Sequence, residues 1–266
     1  QAGTSLNLFA ARNVDLEVTR QATLFLGVPV GTAAQIAEAG LKPLGGFLWI
    51  DTQIAAAQTQ SFNAGFILIF APLLAALWTA LAARKRDPDP TMKFGFGLIQ
   101  VGLGFLVVVW GAGLANVDHR LPLILLGLLY MLHTTGELFL SPVGLSEVTK
   151  LSVASVVSFM MAVWFLASSI AQYVGGWIAG LAGTETVGGQ VLDPAGALKT
   201  SLGVFNMLGW WGLGCGVAFI ALSFFVKHWS HGANDGVSAQ PEPIAPVLDG
   251  ERQAVSPAAI RADQQS

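Results

Sequence analysis

The sequence predicts an all-α integral membrane protein. Of its 266 residues, 53% are apolar and only 11% are charged, a balance typical of membrane proteins. Charge-free stretches recur along the chain, and several exceed the roughly 20 residues that a helix needs to cross a bilayer. The apolar runs favour a lipid bilayer as the surroundings. The net charge of −3 and the lack of a basic face argue against a nucleic-acid partner.

The elements follow from charge-free length, taken from the first residue onward. Residues 1–12 are interpreted as the end of a truncated transmembrane helix, because the stretch before Arg12 is about half the length of a span. Residues 13–58, with scattered charges and prolines, are expected to form an extracytoplasmic loop. Residues 59–228 form a five-helix transmembrane region, and its predicted spans are 61–83, 94–117, 121–145, 153–182 and 200–226.

The last segment, 229–266, shifts to Pro, Ala, Gln and Ser and is predicted to be a disordered tail, since it cannot bury enough apolar area to offset chain entropy. Basic residues favour the cytoplasmic side of short loops. Arg84, Lys85, Arg86 and Lys93 lie together between the first two complete spans. The orientation that follows is a multi-pass protein of the cell inner membrane with its C-terminal tail in the cytoplasm.

Glu137 is the first functional candidate, because it interrupts an apolar run long enough to span a bilayer. A charged side chain near the centre of a membrane helix costs roughly 2.5–3.5 kcal/mol, so one that is kept there usually faces a bundle interior or a water-filled cavity. His133, Glu137 and Ser141 share one helix face at four-residue spacing, with Thr134 beside them. The alternative is that Glu137 is a buried carboxyl bonded to a neighbouring helix.

Two further polar positions lie in other spans. Asn63 opens the first complete span, where its amide could bind a ligand, cap the helix or bond across to another helix. Trp164 starts a stripe with Ser168 and Gln172 at four-residue spacing, which favours a cavity wall, with plain packing as the alternative.

Cofactor chemistry has little support in the sequence. The single cysteine, Cys215, excludes an internal disulfide and a thiol metal cluster. No phosphate-loop, zinc-protease or nucleophile-elbow motif occurs. We expect neither a cofactor nor a metal site.

Three stretches resemble one family: QAGTSLNLFAARN at the start, QSFNAGFILIFAP in the first complete span, and HTTGELFLSPVGLSEVTKL around Glu137. They are similar to the C-terminal half of the proton-dependent oligopeptide transporters of the major facilitator superfamily. The resemblance covers about residues 1–228 and implies the end of helix seven through helix twelve, with the N-terminal six-helix half missing. It also implies symport of di- and tripeptides with protons by alternating access.

The resemblance further implies roles for individual residues. Glu137 corresponds to a helix-ten glutamate that faces the peptide's amino group and takes part in gating. Ser141, Asn63 and Trp164 correspond to substrate-site positions, and Trp164 to a residue that shapes a side-chain pocket. His133 matches a common histidine and is a second candidate for proton coupling or gating.

Two other functions compete with the transporter. One is a membrane-embedded enzyme that uses His133 and Glu137 as an acid–base or metal pair, although no third ligand or nucleophile lies nearby in the sequence. The other is a structural or channel subunit whose polar stripes only join helices.

Overall fold

A computed structural model describes residues 6–181, 186–187, 190–191 and 193–229. The tail predicted at 229–266 therefore lies outside the described residues, apart from Trp229. Seven α-helices account for most of the described chain. They are α1 (Asn7–Asn13), α2 (Ala33–Glu38), α3 (Ser61–Ala83), α4 (Pro90–Trp110), α5 (Leu123–Leu151), α6 (Val157–Leu181) and α7 (Pro194–Trp229).

Five of the helices in the described part, α3 to α7, are long and apolar enough to cross a membrane. This agrees with the fold class that the sequence predicts. The helices do not pack equally on one another. Helix α4 lies between α5 and α7 with extensive contacts to both, α3 packs on α5, and α6 has fewer contacts with α5.

The ends of several helices differ from the charge-free limits. The helix α5 continues through Pro142 to Leu151, beyond the predicted end at 145. The helix α7 begins at Pro194, where Asp193 Oδ1 accepts a hydrogen bond from the Gly196 N–H at 2.9 Å, ahead of the predicted start at 200. Charge-free length marks the apolar part of a helix, whereas capping decides where the helix itself begins.

The segment predicted as an extracytoplasmic loop, 13–58, contains regular structure. Strand β1 (Val14–Asp15) pairs in parallel with β4 (Leu121–Pro122), which ties the end of α1 to the start of α5. Strands β2 (Thr23–Phe25) and β3 (Val28–Val30) form a hairpin. Its two-residue turn, Leu26–Gly27, has positive φ at both positions, as a type I′ turn requires. Outside this segment, β5 (Thr186–Val187) and β6 (Gln190–Val191) pair antiparallel.

Glycines let α4 approach its two neighbours closely. A β-carbon at Gly97 would lie 2.8 Å from the carbonyl oxygen of Gly136 on α5, and one at Gly102 would lie 2.7 Å from the carbonyl oxygen of Gly209 on α7. Such small-residue contacts are the usual means of close helix association in membranes, where lipid supplies no hydrophobic driving force between helices. The position of α5, and of Glu137 on it, therefore depends on backbone contacts with α4.

The turn between α3 and α4 is held by Lys93, which was predicted to lie in the loop before α4 and instead belongs to the first turn of that helix. Its side chain is buried in the first turn of α4. The ammonium lies 2.8 Å from Asp87 Oδ1 and 4.5 Å from the centre of the Trp78 ring. The ion pair thus ties α4 to the turn before it, and the cation–π contact connects α4 to α3 at this end.

We expect Gly212→Val to destabilise the bundle, because a β-carbon at Gly212 would lie 2.8 Å from Gly102 Cα. Overpacking of this kind typically costs about 1–3 kcal/mol. Gly214→Val, on the same helix, is the matched control, since nothing lies within 4 Å of a β-carbon there. Thermal unfolding in detergent measures both; equal melting temperatures for the two variants would contradict the close contact between α4 and α7.

Candidate functional site

The candidate site is centred on Glu137, the middle residue of α5. The residue is exposed on the face that α3 borders. Asn63, in the first turn of α3, donates a hydrogen bond from Nδ2 to Glu137 Oε2 over 3.2 Å. Two polar residues that the sequence places on different spans therefore meet directly.

Thr134 is the third member of this cluster. Its side chain is fully buried, and its Oγ1 accepts a second hydrogen bond from Asn63 Nδ2 at 2.9 Å. Thr134 and Glu137 are three residues apart and so lie on one face of α5. A single amide nitrogen thus bridges two side chains of the facing helix.

Aromatic contacts align α3 with α5 on both sides of this cluster. The rings of Phe62 and Tyr130 meet edge to face with their centres 6.1 Å apart. Further along both helices, the rings of Trp78 and Phe139 meet edge to face at 5.0 Å. The two contacts fix the rotation and register of α3, and with them the reach of Asn63.

The His133 side chain bonds to a different neighbouring helix from the one that Glu137 and Thr134 contact. Its Nε2 is 3.1 Å from the carbonyl oxygen of Val101 on α4, so this nitrogen carries the hydrogen and donates it. Its ring also meets the Phe105 ring edge to face at 4.5 Å. The structure therefore connects His133 to α4 and Glu137 to α3, and does not pair the two side chains.

The other two predicted site residues lie nearer the C-terminal end of α5: Ser141 belongs to this helix, and Trp164 of α6 contacts it. Ser141 is exposed, and its side chain has no hydrogen-bond partner among the described residues. The Trp164 ring lies directly over Gly144, where an added β-carbon would collide with it. Gly144 is two helical turns, about 10 Å, beyond Glu137. Trp164 therefore contacts the same helix as Glu137, but among the described residues the side chain that hydrogen-bonds to Glu137 and Thr134 is that of Asn63.

The sequence did not single out Thr134 as a site residue, although it placed Thr134 beside Glu137. A signal for it exists in the three-residue spacing, which puts both side chains on one helix face. Its partner on α3 could not be read from the sequence, because that contact depends on the register between two helices.

The cluster presents hydrogen-bond acceptors. Both hydrogens of the Asn63 amide point to α5, so the group's remaining capacity is its carbonyl oxygen, Oδ1. Glu137 adds a second carboxylate oxygen, Oε1. An arrangement of this kind suits a cationic donor such as an ammonium group.

The fold and this site define a class: a multi-pass α-helical membrane protein with a carboxylate in the middle of a span. The family model PTR2, described as the POT family, matches residues 48–192, just over half of the chain. The chain belongs to the POT family.

Individual relatives agree with this membership. The chain is 41% identical over 138 residues to "Uncharacterized transporter YclF" of Bacillus subtilis (strain 168), covering 52% of the chain and 26% of that protein. It is 34% identical over 152 residues to "Dipeptide and tripeptide permease A" of Edwardsiella piscicida, covering 57% and 30%.

A solved structure agrees in fold. The crystal structure of peptide transporter POT in complex with sulfate matches with a TM-score of 0.60 and 26% identity, over 84% of this chain and 36% of that one. The chain thus spans between about a quarter and somewhat over a third of the length of these relatives.

We expect the contact between Asn63 and Thr134 to be measurable as a coupling energy. In a double-mutant cycle of Asn63→Ala with Thr134→Ala, the coupling should be about 0.6 kcal/mol, the average for hydrogen bonds between membrane helices. Reversible unfolding in mixed micelles measures it.

The control cycle combines Asn63→Ala with Thr135→Ala. The Thr135 hydroxyl donates only within its own helix, to the carbonyls of Met131 and Leu132. Its coupling to Asn63 should be near zero, and equal values in the two cycles would remove Thr134 from the cluster.

Proposed function

We propose that the chain is the C-terminal part of a secondary active transporter that imports di- and tripeptides with protons. Membership of the POT family supports this, as do relatives named dipeptide and tripeptide permeases. The working transporter contains, in this proposal, a six-helix N-terminal half besides this chain, and the two halves alternate access to a site between them. We call that whole protein the complete transporter.

One observation carries the proposal: Glu137 is exposed at the midpoint of an apolar helix. Exposure to hydrocarbon there would cost roughly 2.5–3.5 kcal/mol. The face of α5 that bears Glu137 therefore borders a water-filled, protein-lined cavity in the complete transporter. A carboxylate in such a cavity is a binding group for a cation that crosses the membrane.

The ligand that fits is a peptide whose amino terminus lies between Glu137 and Asn63. An ammonium carries three donors and no acceptor, which complements the acceptor oxygens of this pair. Ser141 and Trp164, further along the cavity, contact the rest of the peptide, and Trp164 shapes a side-chain pocket.

Proton coupling follows from the same carboxylate. Glu137 binds either a proton or the peptide ammonium, because each neutralises the charge of a carboxylate that lies in the middle of a membrane helix. His133 is a second candidate for coupling and would act through its contact with α4.

A membrane enzyme based on His133 and Glu137 finds less support. The His133 imidazole is bonded to the Val101 carbonyl, and no group of three or more metal-ligating side chains occurs within the described residues. A structural or channel subunit has no specific observation in its favour. We propose no enzymatic activity.

The proposed orientation places the turn between α3 and α4 in the cytoplasm of an inner-membrane protein, together with the C-terminal tail. The three consecutive basic residues Arg84, Lys85 and Arg86 are exposed there. The segment before α3 would then lie outside.

Cysteine labelling of intact cells tests this orientation in a Cys215→Ala background. We expect a membrane-impermeant thiol reagent to label Arg20→Cys and to leave Lys85→Cys unlabelled until the cells are opened. Both positions are exposed and lie on the two sides of α3 along the chain. The reverse pattern would overturn the orientation.

The functional test is Glu137→Gln in the complete transporter, reconstituted in proteoliposomes with an imposed pH gradient. Glutamine keeps the shape of the side chain and removes its charge. Loss of one partner of a desolvated ion pair costs about 2–5 kcal/mol. We therefore expect proton-driven dialanine uptake to fall about thirtyfold or more.

Glu147→Gln is the matched control, because it makes the same chemical change on the same helix. Glu147 bonds to Lys150 at 3.4 Å near the end of α5, away from Asn63. Its uptake should stay near that of the unchanged protein. Full proton-driven uptake by Glu137→Gln would mean that Glu137 only ties helices together.

A further inference from the structure

The orientation of the Asn63 amide decides what the site can bind. An amide offers two donors on one end and an acceptor on the other, so a half-turn of the group exchanges one for the other. With Nδ2 directed at α5, the site presents Oδ1 to a ligand. With the amide reversed, the site would present an NH₂ group, which repels an ammonium.

Two groups hold the amide in the observed orientation. Glu137 Oε2 accepts from Nδ2 over 3.2 Å, and Thr134 Oγ1 accepts from it over 2.9 Å. Glu137 is exposed and is the group that meets the ligand in the proposed function. Thr134 is fully buried, so neither water nor a ligand competes for its hydroxyl.

We infer that Thr134 is a positioning residue that fixes the Asn63 amide, so that its carbonyl oxygen faces the ligand and selects ligands with a free ammonium group. This inference rests on the proposed function. While Glu137 binds a ligand or a proton, the hydrogen bond that Asn63 Nδ2 donates to Thr134 Oγ1 keeps Nδ2 turned towards α5. Thr134 itself does not touch the ligand.

The local packing supports a fixed role for Thr134. The contact between Phe62 and Tyr130 lies one residue from Asn63 on α3 and one turn from Thr134 on α5. It holds the two helices at the separation that the 2.9 Å bond requires. The neighbouring Thr135 instead donates to carbonyls of its own helix and leaves Asn63 alone.

The test compares Thr134→Val with Thr134→Ser and Thr135→Val in the complete transporter. Valine keeps the shape of threonine and removes the hydroxyl, whereas serine keeps the hydroxyl. We expect Thr134→Val to raise the KM for dialanine about three- to tenfold, as the loss of one hydrogen bond predicts. The maximal rate should change by less than about twofold, and Thr134→Ser and Thr135→Val should stay near the unchanged protein.

Competition with N-acetyl-dialanine separates positioning from packing. The acetylated peptide has no ammonium, so its weak inhibition should not weaken further in Thr134→Val. The preference for the free amine over the acetylated peptide should therefore narrow by the same three- to tenfold factor. An equal loss for both peptides, or an unchanged KM for dialanine, would overturn the inference.

Two controls keep the result decisive. The melting temperature shows whether Thr134→Val is folded, and Thr134→Ala provides the same test if the valine variant is not recovered. An unchanged protein that takes up no dipeptide refutes the proposed function, and this inference with it. If the unchanged protein takes up dialanine and Thr134→Val keeps the same preference for dialanine over N-acetyl-dialanine, the inference about Thr134 is refuted and the proposed function is not.

Discussion

The main physical constraint on this structure is the free-energy cost of placing a carboxylate at the centre of a membrane helix. Within the described part of the chain, Glu137 forms no ion pair, and the residue is not buried; one of its oxygens accepts a hydrogen bond from Asn63 and the residue is otherwise exposed. Such a group is stable in a bilayer only beside water or protein. In the proposed function, the face of α3 and α5 that bears Glu137 therefore borders the transport route, because the carboxylate needs polar surroundings.

The rest of the bundle gives that pair a rigid support. Helix α4 is attached to α5 by the close backbone contact between Gly97 and Gly136 and by the hydrogen bond from His133 to the Val101 carbonyl. It holds α7 through Gly102 and Gly209. These contacts involve backbone atoms, which cannot move without moving the helix. A site made of side chains that must keep their geometry is therefore carried on helices that are fixed by backbone contacts.

Local properties of the sequence were enough to predict the fold class and to single out Glu137 as a candidate site residue. The length of an apolar run and the cost of a charge within it are both local, so five spans and Glu137 could be predicted. Asn63 was a candidate from its place in the first complete span, with three roles left open, and the resemblance to the peptide transporters implied a substrate-site role for it. The structure places its amide against Glu137. The family model and the named relatives agree with that resemblance.

Features that depend on how helices pack could not be predicted. The pairing of His133 with α4 depends on helix rotation, and the bond between Thr134 and Asn63 depends on register. Trp164 was expected beside the same cavity as Glu137; its ring lies over Gly144, a contact set by how α6 meets α5. The strands within 13–58 were missed because their ladders are only two or three residues long, too short to show an alternating pattern.

A structure of the complete transporter with bound dialanine would show directly whether Glu137 and Asn63 bind the amino terminus of the peptide. We expect the peptide nitrogen within about 3 Å of both the Glu137 carboxylate and Asn63 Oδ1, with Nδ2 still directed at Thr134. A peptide bound with its carboxylate at Glu137, or away from α3 and α5 altogether, would contradict this expectation.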